Sequence, residues 1–164
     1  MLLKTLPNIE TARLFLRGLR KGDEDFLAML DTDPLVMRDI GRGPMGHSQA
    51  THFAQEQVEI ADSIWKRTGK WLVELRETPA RIGWVEVSGM SLEAGDSLSV
   101  GFEFAPSFWG HGYALEAIAA LMDDCFERLD EPRLVALVRW DNERSVRVLR
   151  KSGFRPGEGV SWMR

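Results

Sequence analysis

The chain has 164 residues, 44% of them hydrophobic, enough for one domain with a real core and too few for two, so residues 1–164 are expected to form a single unit. Its formal net charge of −4 argues against a general nucleic-acid binder and mildly favours cationic partners, so an anionic ligand must be held by local geometry. Cys125 is the one cysteine, which excludes an internal disulfide, and neither a membrane-spanning run nor a signal peptide is read in the chain, so a reducing cytoplasm is expected.

Arg13-Leu14-Phe15-Leu16-Arg17 alternates charge with apolar bulk and predicts a strand with one solvated face. Gly22-Asp23 places an acidic cap ahead of Phe26, Leu27, Met29 and Leu30, predicting a helix that stops or restarts at Asp33-Pro34. Residues 41–47 are rich in breakers and read as a loop. Ser48 is expected to cap a second helix running to about Thr68, with Phe53, Val58, Ile60, Ile64 and Trp65 available for its buried face and Gly69 at its end. Residues 71–77 and 81–87, joined by Thr78-Pro79-Ala80, predict an antiparallel hairpin, and a turn at 93–96 leads into a strand at 100–104 closed by Pro106.

Leu115, Ile118, Met122, Cys125 and Leu129 then recur at helical spacing, with Glu116, Asp123, Asp124 and Glu127 opposite. Such a helix is a crossover, so residues 134–138 should return parallel to the strand at 100–104. A last helix over 143–151, with Val146 and Leu149 inward, ends at Gly153, and Phe154-Arg155 with residues 160–163 forms a final hairpin or edge pair. The expected fold is α/β (α+β): a mixed, mostly antiparallel central sheet with flanking helices and a parallel strand pair that parts beyond Phe104 and Val138.

Strand, glycine-bearing turn and helix succeed one another around Trp109-Gly110-His111-Gly112-Tyr113-Ala114. The first N–H groups of such a helix lack intrahelical partners and attract phosphate, and glycine lets the backbone come close to an anion. Leu115 stands where a dinucleotide fingerprint needs a small residue, and no Gly-Lys-Ser/Thr ending is present, so neither that fingerprint nor a P-loop is read here. On spacing alone the turn is equally a tight connection. Ligands of open α/β sheets sit beyond the C-terminal ends of parallel strands, here beyond 104 and 138.

The block V-G-F-E-F-A-P-S-F-W-G-H-G-Y-A-L-E-A from Val100, then D-N-E-R-S-V-R-V-L-R-K-S-G-F from Asp141, resembles the GNAT superfamily of acyl-CoA N-acetyltransferases. The opening I-E-T-A-R-L-F-L-R-G-L from Ile9 is similar to the first strand of its ribosomal-protein-alanine N-acetyltransferase (RimJ/RimL-like) branch. The resemblance implies that backbone N–H groups of Trp109, Gly110, His111, Gly112, Tyr113 and Ala114 cradle the pyrophosphate of acetyl-CoA, with the His111 side chain outward. It also implies that Phe102 and Phe104 lend backbone groups to the pantetheine arm. Asn142 would read the arm's amides, cap the last helix, or do both. Ser145 would protonate the departing thiolate or be a helix-surface serine; many relatives carry a tyrosine for that role where this chain has Leu149.

Of three strand carboxylates, Glu74, Glu86 and Glu103, the last is the expected general base, because it shares the strand whose edge should hold the cofactor; its alternative is a charge on a solvated sheet face. Arg144, Arg147, Arg150 and Lys151 either reach cofactor phosphates or form a solvated face. The implied activity is transfer of the acetyl group of acetyl-CoA, by direct transfer in a ternary complex without a metal, to the primary amine of a protein N-terminus, a polyamine or a small molecule. No nucleic-acid or membrane partner is expected, and a homodimer is left open. The alternative is a non-catalytic acyl-CoA-binding or interaction module on the same fold.

Overall fold

A computed structural model describes residues 6–40, 42–61, 68–92, 95–131, 133–157 and 161–163. The short β1 (Ile9–Glu10) pairs with β2 (Leu14–Gly18), and α1 (Glu24–Thr32), α2 (Pro34–Met37) and α3 (His47–Ala61) follow. An antiparallel run of β3 (Gly69–Leu75), β4 (Arg81–Leu92) and β5 (Gly95–Phe104) continues from β2. The crossover helix α4 (Tyr113–Leu129) leads to β6 (Leu134–Leu137), which lies parallel to β5 as the spacing predicts. After α5 (Glu143–Lys151), β7 (Arg155–Pro156) and β8 (Ser161–Met163) complete a sheet in the order β1-β2-β3-β4-β5-β6-β8-β7.

Strand alternation divides the core in two. One face of the sheet presents Leu14, Leu16, Trp71, Val73, Val85, Val87 and Val100 to the α4 stripe of Ala117, Ile118, Leu121, Met122 and Cys125. Each large aliphatic side chain so buried stabilises the fold by roughly 1.5–3 kcal/mol. The Cys125 thiol, buried here, is pushed up to about 12, first by burial and then by Asp124, so it packs as a neutral group. The opposite face offers Leu72 and Trp84 to Leu27 and Ala28 of α1 and to Ala50 and Ala54 of α3. Glu103, on β5 opposite Trp84, belongs to this second face.

Several local rules give way to tertiary contacts. Asp23 stands at the N-cap of α1 yet makes no side-chain cap bond; its carboxylate accepts from Arg17 Nη1 and Nη2 (2.8 and 2.9 Å) and from the Arg20 N–H (2.9 Å). Arg17 also donates to Glu74 at 2.7 Å, and Arg81 lies 3.5 Å from Asp23. Burial alone would raise the Asp23 carboxyl, but these hydrogen bonds and charges hold it below its ordinary value. The second helix starts at His47, two residues earlier than a cap at Ser48 implies, because the Ala50 N–H already bonds the Gly46 carbonyl at 2.9 Å. On that helix Phe53 and Val58 are half-buried and Ile60 is exposed, while Ile64 and Trp65 lie outside the described residues. Thr68 is not helical. Gly69 opens β3 opposite Val87, and the Leu6 side chain fills the space its Cβ would take; the stretch between α3 and Thr68 in which the helix was expected to continue lies outside the described residues.

The parallel ladder is also shorter than expected. It comprises Leu98↔Leu134 and Ser99↔Val135, so β5 and β6 part from Val100 and Ala136 onward and not beyond Phe104 and Val138. On its other edge β6 pairs with β8 from Val135 to Leu137, so the strand continues past the point where it leaves β5. Of the expected connections, the final pair is the antiparallel β7–β8, with Val160 outside the described residues, as are residues 93–94 of the expected turn before β5.

Candidate active site

The Ala105 N–H bonds the Ile82 carbonyl at 2.9 Å, so residues 101, 103 and 105 turn their amide groups to β4, and Phe102 and Phe104 turn theirs to the parted edge. Both phenylalanines line a groove of about 520 Å³ that runs from this edge to the start of α4 and along α5. The Phe104 carbonyl already accepts from the Trp109 indole Nε1 at 2.7 Å, which ties the strand end to the turn.

That turn begins with a single 3₁₀ turn at Pro106–Phe108, and the Trp109 N–H bonds the Pro106 carbonyl at 3.1 Å. Trp109 is therefore not an amide donor to a ligand, contrary to expectation, although its ring lines the groove. Gly110 (φ 81°) and Gly112 (φ 80°) occupy the left-handed region that β-carbon-bearing residues avoid, and Gly112 caps α4. Among the described residues, the first α4 amide with a backbone acceptor is that of Glu116, on the Gly112 carbonyl at 3.1 Å. The amides of Tyr113 and Ala114 thus remain open at the positive end of a 17-residue helix, beside the groove. His111 does not line the groove: its exposed ring stacks on Tyr113 at 5.5 Å, and its carbonyl accepts from Arg13 Nη1 at 2.9 Å.

Arg13 escaped the sequence reading as a site residue. Its Nε bonds Glu116 at 2.7 Å, its guanidinium lies 4.6 Å from the Tyr113 ring centroid, and Thr11 Oγ1 donates to the same Glu116 at 2.6 Å. Burial would raise the Glu116 carboxyl, but Thr11 and Arg13 hold it below its ordinary value, so the one acidic group of the first α4 turn is matched by a cation. The signal available was local only, an arginine opening a strand 103 positions away from its partner.

The last helix supplies the other wall. Arg144, Arg147, Val148 and Lys151 recur at steps of three and four and line the groove, with Arg144 4.0 Å over the Trp109 ring; Arg150 does not line it. Asn142 caps α5 by accepting the Ser145 N–H at 3.0 Å, and both residues line the groove, so capping and exposure to a ligand coexist. Leu149 is packed in the core.

A second cavity of about 460 Å³ opens on the α1–α3 side of the sheet, and among the described residues Glu103 alone lines both. Glu103 is 8% exposed, and its buried Oε2 has no hydrogen-bond partner among the described residues. Burial first and the Asp31 charge second push its carboxyl up to about 7 against the pull of Lys70 and Arg42. The solvated-face alternative for Glu103 is therefore not what the fold presents. Glu74 is held by Arg17, and Glu86 sits 3.2 Å from Lys70 Nζ, so both other strand carboxylates are paired. A carboxyl poised near neutrality between two cavities can exchange a proton with a ligand at pH 7.

Residues 13–155 match the sequence model of the acetyltransferase (GNAT) domain. The chain belongs to the GNAT acetyltransferase family. It is 29% identical over 156 residues to the uncharacterised N-acetyltransferase YoaA of Bacillus subtilis (strain 168), covering 94% of this chain and 85% of that one. A GNAT fold is evident in a TM-score of 0.80 to an acetyltransferase from Agrobacterium tumefaciens str. C58, at 24% identity over 100% of this chain and 97% of that one. The ribosomal L7/L12 alpha-N-protein acetyltransferase RimL in complex with coenzyme A superposes with a TM-score of 0.75 at 17% identity, covering 96% of this chain and 97% of that one. Family membership makes this GNAT chain an acetyl-CoA-dependent acyltransferase. Among its described residues no helix is long and apolar enough to cross a membrane.

Proposed function

We propose that this GNAT enzyme transfers the acetyl group of acetyl-CoA directly to a primary amine in a ternary complex, with Glu103 as general base. The observation that carries the reading is Glu103 itself, a buried carboxyl shared by two cavities whose Oε2 has no hydrogen-bond partner among the described residues, one of the cavities being bordered by open helix-terminal amides. Two cavities meeting at one proton acceptor suit a reaction in which both substrates are bound together. The coenzyme A complex of RimL supports acetyl-CoA as a ligand of this fold, and the groove of Phe102 and Asn142 is the place we assign to it.

In this reading the amides of Gly110, Gly112, Tyr113 and Ala114 hold the pyrophosphate and the α5 cations Arg144, Arg147 and Lys151 add charge beside it. Phe102 pairs with the pantetheine arm through both backbone groups and Phe104 chiefly through its N–H, because its carbonyl serves Trp109. Acetyl-CoA supplies an activated thioester carbonyl. Glu103 takes the proton that the acceptor ammonium must lose before its nitrogen attacks the thioester carbonyl; as the C–S bond breaks, Ser145 gives its hydroxyl proton to the departing thiolate and regains one from the second proton that the new amide nitrogen sheds.

Acetyl-CoA plus a panel of amines and peptides with varied N-terminal residues should release free thiol in step with acetylated product. Binding of acetyl-CoA with no thiol released by any amine would leave the non-catalytic module in its place. Cofactor placement has its own expected result. Acetyl-CoA at roughly 100-fold above its dissociation constant should stabilise the fold by about 2.7 kcal/mol. Gly112→Asp adds a Cβ at positive φ and a negative charge beside the open amides, and should abolish most of that thermal shift. An undiminished shift in a folded Gly112→Asp protein would put the cofactor elsewhere.

A further inference from the structure

The cavity on the α1–α3 side contains five ionisable side chains among the described residues: Asp31, Arg42, Lys70, Glu86 and Glu103. Arg42 is ion-paired with Asp31 and lies 5.0 Å over the Phe53 ring. Lys70 meets Glu86 at 3.2 Å, donates to the Gln57 amide and stands 3.7 Å over the Trp84 ring. Each cation therefore has a carboxylate and an aromatic face of its own, and four of the five charges cancel in pairs. Among the described ionisable groups of the cavity, Glu103 is left as the one without an ion-pair partner of its own, its Oε2 without a hydrogen bond. The remaining wall is largely apolar, formed by Leu19, Leu27, Ile60, Ala61 and Val87.

Charge complementarity follows from this pairing. One ammonium has a counter-charge waiting at Glu103. A second ammonium, or a carboxylate, entering the same cavity would be desolvated without an unpaired partner, or would have to break a pair that is already satisfied. An apolar body gains from covering the aliphatic wall. Resting on the acetyltransferase reading above, we propose that the acceptor is a monoamine, one primary ammonium carried on an apolar body, and that polyamines and aminoglycosides are poor substrates. A peptide N-terminus with an apolar first residue belongs to the same class.

Hexylamine and pentane-1,5-diamine test this directly, since they match in length and differ by a terminal methyl in place of a second ammonium. Thiol release should favour hexylamine by about tenfold or more in kcat/KM, with spermidine and kanamycin poorer still. Calorimetric titration of the two amines into the protein with coenzyme A present should give the same order in Kd. Lys70→Met leaves Glu86 unpaired, so it should shift the hexylamine-to-diamine ratio toward the diamine by about tenfold. Preference of the wild type for the diamine, spermidine or kanamycin overturns the proposal, as does an unchanged ratio in folded Lys70→Met protein. Should no amine release thiol, the acetyltransferase reading fails, and the calorimetric order still decides whether the cavity selects monoamines.

Discussion

Glu103→Gln should lower kcat by about 10²- to 10⁴-fold with the true acceptor at pH 7, the usual contribution of a positioned base. The change keeps the side chain's shape and leaves the β5 backbone untouched, so acetyl-CoA binding should stay close to wild type. In the wild type, kcat/KM should rise as pH passes through about 7, where Glu103 loses its proton, and that limb should vanish in the variant. Stability should move the opposite way. The folded chain holds a proton to about pH 7 that the unfolded chain releases near the ordinary value of 4.5, so wild-type stability falls as pH rises through that window. Above it, the neutral glutamine should be more stable by on the order of 3 kcal/mol, or about 5 to 10 °C in Tm. A folded variant that retains more than about a third of wild-type kcat would remove Glu103 from the base role, and one that gains no stability above pH 7 would mean that the folded chain does not hold the Glu103 proton.

Arg17→Met should give the largest loss of stability, about 3–5 kcal/mol at pH 7, because it strands the fully buried Asp23 and unpairs Glu74 in one step. Chemical denaturation of the two proteins across pH provides the measurement. Asp23 is held below its ordinary value of 3.8, so the stabilisation it contributes is present above that value and lost as pH falls through the lowered one. The gap between wild type and variant should therefore narrow on acidification below about pH 4. A gap under about 1 kcal/mol at pH 7 would mean that water or Arg81 replaces Arg17 and that the network is not a structural keystone.

Period and order were legible in the chain where one face of an element meets one neighbour. The stripe from Ala117 to Cys125 and the alternation of β5 each face a single layer, so residue spacing carried them into the right elements and made β6 return parallel. Local rules failed where a distant residue decided the outcome. Asp23 occupies a cap position but answers to Arg17. The Arg13–Glu116 clamp joins residues 103 positions apart in the chain. The state of Glu103 was likewise unreadable from β5 alone, since α1 and α3 help enclose the face on which it lies.

Two residue pairs are all that stitch β5 to β6, and they are the seam between the strands that precede α4 and those that follow it. A seam so short makes a weak mechanical fuse, with α4 as the principal strap across it. In the proposed complex the pantetheine arm would lie where the missing rungs belong, so the substrate would act as a transient strand. Loading would then add backbone pairing to the open edge of β5, and local opening at this seam should be slower in the complex than in the free enzyme.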